Sequence, residues 1–109
     1  MENYKHRRDI EELIERGETQ SVEFKESFGL KDEIGETVSA FSNSDGGTVI
    51  VGVSNNGGVL GVDIGTNTLE VLANHIKRNT DPQAFPSVKI LEIGGKKVVM
   101  IEVEETCVL

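Results

Sequence analysis

Three segments of the chain carry apolar residues three and four positions apart, which is the spacing of one face of an α-helix. Their apolar positions are Ile10, Leu13 and Ile14; Ile34, Val38 and Phe41; and Leu69, Leu72, Ala73 and Ile76. The first helix should run from about Asp9 to Arg16 and end at Gly17. Asp32 is the predicted cap of the second helix. Asn67, with Glu70 three residues later, is a capping-box pattern that predicts the start of the third.

Five further segments have the alternating or continuous apolar pattern of β-strands. They are Ser21–Lys25, Thr48–Val53, Val59–Val62, Ser87–Ile93 and Lys97–Val103. Thr48–Val53 is an uninterrupted, β-branched run, which predicts a central strand buried on both faces and covered by the second helix. Gly94-Gly95 predicts a hairpin between the last two strands. The order α-β-α-β-β-α-β-β therefore predicts an α/β (α+β) fold, a mixed sheet with helices packed on it.

Glycine-rich turns raise the possibility of a nucleotide-binding loop. A Walker loop needs two glycines flanking four residues, then Lys and Ser or Thr to reach the phosphates and Mg²⁺. Asp45-Gly46-Gly47-Thr48 has no lysine, and it leads from a helix into a strand, which is the reverse of the required order. ATP is therefore not an expected cofactor. The glycines expected to serve tight turns are Gly46, Gly47, Gly52, Gly57 and Gly61.

Length and composition limit the class of protein. The 109 residues suffice for one domain, which we expect over residues 1–109 with a core at about 17–105. The apolar end at Val108-Leu109 suggests a piece cut from a longer protein. No apolar stretch approaches the roughly 20 residues that span a bilayer, so no membrane partner is expected. A single cysteine, Cys107, cannot form an internal disulfide, which favours a cytoplasmic location.

The net charge of −8 argues against a general electrostatic attraction to nucleic acid. A local basic face is still compatible with that charge, because several cations occur in pairs. If they share a face, weak and sequence-tolerant binding of nucleic acid is expected. The candidate nucleic-acid-binding residues are Lys25, Lys77, Arg78, Lys96 and Lys97.

Two glutamates bracket the turn into the first strand, Glu18 and Glu23. With a third acid from another loop they could hold Mg²⁺ or Mn²⁺, which prefer oxygen ligands. One cysteine and two histidines offer no zinc site. From the residues alone, solvated surface acids remain the simpler interpretation.

Three blocks of sequence, in order, resemble the Schlafen-type AlbA domain family, which was once grouped with divergent AAA ATPases. The blocks are Glu18 to Ser27 (ETQSVEFKES), Ala40 to Asn43 followed by Asp45 to Val53 (DGGTVIVGV), and Asn55 to Gly61 (NNGGVLG). The resemblance covers roughly Gly17 to Val103. It implies a domain of transcriptional regulators, and also the core of Schlafen proteins, some of which cleave tRNA and rRNA with three acidic residues.

Two of those acids match Glu18 and Glu23. The third would follow the Gly-Val step, where this chain has Ser54-Asn55-Asn56, so the resemblance leaves a neutral amide in place of a carboxylate. Asp45 and Asp63 are possible substitutes.

Three functions follow as hypotheses. The first is a non-catalytic, DNA-binding domain of a transcriptional regulator, with no cofactor. The second is a metal-dependent endoribonuclease using Glu18 and Glu23. The third is a self-association or protein-interaction module. Exposed strand edges also predict a homo-oligomer, and a dimer is the simplest form.

Overall fold

A computed structural model describes residues 10–80 and 86–105 of the chain. The elements in chain order are α1 (residues 10–16), β1 (Val22–Lys25), a 3₁₀ turn (Phe28–Leu30), α2 (Lys31–Ser42), β2 (Gly47–Val51), α3 (Thr68–Asn79), β3 (Ser87–Ile93) and β4 (Lys96–Val103). This order confirms the predicted α+β class. The expected helix start at Asp9 and the single cysteine, Cys107, lie outside the described residues. None of the described helices is long and apolar enough to cross a membrane.

The four strands form one mixed sheet in the order β1-β2-β4-β3. β1 and β2 are parallel, while β4 runs antiparallel to both of its neighbours. Lys25 at the end of β1 aligns with Val51 on β2, and Val51 aligns with Val99 near the start of β4. We call this end of the sheet, where β1 and β2 finish and β4 begins, the carboxyl end.

Both faces of the sheet are covered. On one face α2 and α3 contribute buried apolar side chains such as Val38 and Ile76, which pack with Val49 and Val51. On the other face α1 packs through Ile10 onto a second cluster that contains Phe24, Ile50 and Met100. The side chains of Val49, Ile50 and Val51 are fully buried. The prediction of a central strand buried on both faces and covered by the second helix is therefore confirmed.

Between β2 and α3 the chain curls instead of forming the expected strand over residues 59–62. The N–H groups of Leu60 and Gly61 both donate to the carbonyl of Gly52, at 2.8 and 3.0 Å. That double contact leaves one isolated bridge, between Val53 and Val59. The loop consequently folds over the carboxyl end of the sheet rather than adding a full strand to it.

Two helix starts differ from the sequence prediction. The 3₁₀ turn leads directly into α2, and its cap is Ser27, whose hydroxyl accepts the N–H of Gly29 at 3.2 Å. Asp32 therefore lies in the first turn of α2 and not at its cap. Asn67 occupies the cap position of α3 but makes no capping hydrogen bond through its side chain. The hydroxyl of Thr68 accepts the N–H of Gly65 at 2.7 Å, which closes that turn instead.

The predicted turn glycines serve two different purposes. Gly46, Gly52, Gly57 and Gly61 have positive φ angles, a backbone conformation that favours glycine. Gly47 does not; it is the first residue of β2, and a β-carbon there would lie 2.7 Å from the ring of Phe41. Its role is close packing against α2.

Candidate functional site

The turn after α1 brings Glu18 beside β1. Gly17 has a φ of 84° and ends α1, since its N–H donates to the carbonyls of Leu13 and Ile14. The N–H of Thr19 then donates to the carbonyl of Val22 at 3.0 Å, so the chain reverses within four residues. Glu18 is thereby placed at the side of the strand that carries the second glutamate.

Strand alternation selects which side chains of β1 stay polar. Val22 and Phe24 are buried against the α1 side of the sheet, so Glu23 and Lys25 point to the α2 side. There they line an open cleft of about 430 Å³, which we call the acidic cleft. Its other lining residues are Glu18, Phe24, Glu26, Leu30, Glu33 and Asn55.

The carboxyl group of Glu23 has its pKa raised above the ordinary value. Burial is the largest cause, followed by a hydrogen bond with Glu18 and by the negative charge of that residue. The ammonium group of Lys25 acts in the opposite direction. A negative charge so close to Glu23 disfavours the ionised form of its carboxyl group.

Lys25 is the counter-ion within the acidic cleft. Its Nζ lies 3.8 Å from Oε2 of Glu23 and 3.6 Å from Oε1 of Glu33. The Lys25 side chain is only 11% exposed, whereas that of Glu33 is 56% exposed. The lysine thus lies low in the cleft, between one carboxylate from its own strand and one from the first turn of α2.

Asn55 belongs to the segment Ser54-Asn55-Asn56, where the family resemblance places a third acid. It lines the acidic cleft together with Glu18 and Glu23, so three separate segments meet there. Asp45 and Asp63, the possible substitutes, line other cavities. Among residues 10–80 and 86–105, no group of three or more His, Cys, Asp or Glu side chains is arranged to hold a metal ion.

Two more of the predicted cations lie at the same end of the sheet. Lys96 and Lys97 begin β4, and they line a second open cleft of about 600 Å³ with the loop from Leu60 to Ile64. The Nζ of Lys96 donates to the carbonyl of Val59 at 3.2 Å. The carbonyl of Lys97 accepts the N–H of Val62 at 2.8 Å. These contacts fix the loop against the start of β4.

The remaining two predicted cations lie elsewhere. Lys77 and Arg78 are in the last turn of α3. The structure therefore brings Lys25, Lys96 and Lys97 to one end of the sheet, whereas Lys77 and Arg78 lie on α3.

Sequence reasoning missed Glu33. It lies in the first turn of a predicted helix, where acidic residues are common because they favour the positive end of the helix dipole. Nothing in the spacing of residues 18–33 indicates that this glutamate reaches Lys25. Only the crossover from β1 through the 3₁₀ turn into α2 brings the two together.

The fold and the acidic cleft define a small α+β domain with a charged site at the carboxyl end of a mixed sheet. The sequence model of the family described as "Schlafen, AlbA_2" matches residues 18–108. The chain therefore belongs to the Schlafen AlbA_2 family, as the motifs predicted. No curated protein matches the chain.

Two solved structures share the fold. One is the solution structure of the N-terminal domain of a RecG-related protein from Nitrosomonas europaea, named as a candidate ATP-dependent DNA helicase. It has a TM-score of 0.71 and 23% identity, over 91% of this chain and 72% of that one. The other is the crystal structure of the DIP2311 protein from Corynebacterium diphtheriae. Its TM-score is 0.66 and its identity 23%, over 82% of this chain and 21% of that one.

Proposed function

We propose that this domain binds nucleic acid at the carboxyl end of its sheet, without cutting it, as the DNA-binding part of a transcriptional regulator. The observation that carries the proposal is the placement of Lys25, Lys96 and Lys97 at one end of the sheet, around the loop that follows β2. In open α/β sheets ligands bind beyond the carboxyl ends of parallel strands. Membership of the Schlafen AlbA_2 family and the helicase-related name of one structural neighbour support a nucleic-acid partner.

Binding should be weak and tolerant of sequence. Lysine contacts to phosphate position a protein on nucleic acid but carry no base information. The acidic groups beside Lys25 and the net charge of −8 reduce the local positive potential. We expect the affinity to fall steeply with salt, with a logarithmic slope of about −0.9 for each phosphate neutralised on duplex DNA.

Two double charge reversals test the proposed surface. The test variant is Lys96→Glu with Lys97→Glu, and the matched control is Lys77→Glu with Arg78→Glu, which changes the net charge equally. We expect the first to weaken binding to all sequences similarly, and to reduce the salt slope. The control should have a smaller effect, because its residues lie in the last turn of α3. Equal losses in both variants, or no measurable binding at low salt, would contradict the proposal.

A second candidate function is metal-dependent cleavage of RNA. The observation that favours it is the meeting of Glu18, Glu23 and Asn55 in the acidic cleft. These residues fit a firmly held divalent cation poorly, since Asn55 is neutral and the ammonium of Lys25 is already 3.8 Å from Glu23. We therefore expect no efficient cleavage by the native chain.

Incubation of tRNA with the pure protein and Mn²⁺ tests this expectation. Glu23→Gln is the control for contaminating nucleases, because it removes a carboxylate of the pair and leaves the cleft filled. Asn55→Asp adds a carboxylate to the cleft, within the segment where the family resemblance places the third acid, so any latent activity should increase in this variant. Cleavage by the native chain that disappears in Glu23→Gln would favour the enzyme over the binding module.

A further inference from the structure

We propose that Glu33 is an autoinhibitory residue that holds Lys25 inside the acidic cleft and so lowers the affinity of the domain for nucleic acid. This inference rests on the proposed function, because it concerns a cation of the same binding surface. The ion pair is direct, with 3.6 Å between Nζ of Lys25 and Oε1 of Glu33. It joins the end of β1 to the first turn of α2.

Glu33 is suited to compete with a phosphate for Lys25. Its side chain is 56% exposed, so it lies at the rim of the cleft, where an incoming phosphate would approach. Glu23, the other partner, is less exposed at 36% and belongs to the same strand as the lysine. Removal of the Glu33 charge leaves the contact between Lys25 and Glu23 intact. It also frees the ammonium group of Lys25 to move towards the mouth of the cleft.

Lys25 can respond to that removal. Its side chain is 11% exposed, but it lines an open cleft rather than a closed core. Lysine has a flexible stem that keeps its charge at the nearest polar surface. Without Glu33, the ammonium group can rotate to the mouth of the cleft and contact phosphate there.

The expected effect on affinity is modest and measurable. An exposed ion pair contributes little free energy, so its loss corresponds to about a two- to five-fold change in an equilibrium constant. One further phosphate contact also adds about 0.9 to the magnitude of the salt slope on duplex DNA. The change in slope separates a new contact from a general loss of negative charge.

The test compares Glu33→Gln with Glu36→Gln by titration of duplex DNA over a range of salt concentrations. Both glutamates are exposed residues of α2, and within the described part of the chain Glu36 forms no ion pair. We expect Glu33→Gln to bind about two- to five-fold more tightly than Glu36→Gln, with the steeper slope. In a Lys25→Gln background the two substitutions should have equal effects. Equal affinities and slopes in the native background would overturn the inference.

A second measurement separates this inference from the proposed function. Reductive methylation in the absence of nucleic acid reports how accessible the Lys25 amine is, and peptide mass spectrometry locates the label. We expect faster labelling of Lys25 in Glu33→Gln than in Glu36→Gln, and unchanged labelling would overturn the restraint. If no protein binds DNA or RNA, including Glu33→Gln, the proposed function fails and the inhibitory role fails with it. If the native chain binds and the two variants are equal, only the inference fails.

Discussion

At the residue scale, the acidic cleft depends on a few side chains with opposing effects. Burial and the neighbouring Glu18 make ionisation of Glu23 unfavourable, while Lys25 favours it. The balance raises the pKa of Glu23, so the folded protein retains the proton of this carboxyl group at higher pH than the unfolded chain does. The stability that this protonated group contributes is complete below its ordinary pKa and is lost as the pH rises through the raised value.

Glu23→Gln should therefore stabilise the fold at neutral pH. Glutamine has the same shape and stays neutral, so it avoids the unfavourable charge. The stability difference between variant and native chain should widen from about pH 4 to about pH 7 in urea titrations, and solvent screening should keep it small because the side chain is 36% exposed. Glu36→Gln, which changes an exposed carboxylate, is the control. A native chain that is more stable than Glu23→Gln at neutral pH would show that the Lys25 ion pair dominates.

Sequence could identify Glu18, Glu23 and the neutral segment Ser54-Asn55-Asn56 because they lie within motifs of the family. It could not identify Glu33, because the contact with Lys25 depends on how α2 crosses over the end of β1. A side chain that reaches a site only through the tertiary fold leaves no local pattern in the sequence.

At the element scale, patterns that each segment carries by itself predicted the fold well. β2 carries the β-branched run Val49, Ile50 and Val51, whose side chains are fully buried on both faces. Helix starts and the segment over residues 59–62 were predicted less well, because they depend on competition between neighbouring groups. Ser27 caps the helical stretch before Asp32 can, and the carbonyl of Gly52 takes two N–H groups that a strand would have paired.

The edge strand β3 supports the prediction of a homodimer. It has seven residues, pairs only with β4 in the described sheet, and carries Ile90 with 43% of its surface exposed. β1, at the other edge, has only four residues. An open strand of this length can pair with the same strand of a second copy.

Ile90→Lys should shift such a dimer to monomer in sedimentation experiments, because lysine on an edge strand opposes pairing. Val71→Lys is the matched control, since Val71 is similarly exposed but lies on α3. A clean monomer of the native chain at high concentration would refute the dimer. A dimer unaffected by Ile90→Lys would place the interface elsewhere.

At the scale of the whole molecule, both ends of the sheet carry acidic residues. The carboxyl end carries Lys25, Lys96 and Lys97 beside the acidic cleft. The opposite end has a cavity of about 670 Å³ lined by Asp45, Glu102 and Glu104 among others. The proposed binding therefore rests on local contacts of these three lysines and not on a difference in overall charge between the two ends.

The sequence could identify these cations as candidates, but it could not show which of them lie at the same end of the sheet. Lys77 and Arg78 form a pair as basic as Lys96 and Lys97, and only the structure shows that one pair ends α3 while the other begins β4 at the carboxyl end of the sheet. The position of Lys96 and Lys97 beside the end of β2 depends on the long-range pairing of β4 between β2 and β3.

The most direct test of the binding surface is nuclear magnetic resonance of the ¹⁵N-labelled domain titrated with a short DNA duplex at low salt. We predict that the amide signals which shift most belong to the end of β1, the loop from Gly52 to Val62, and Lys96 and Lys97. Shifts confined to the last turn of α3, or to Asp45 and Glu104 at the opposite end, would contradict the account.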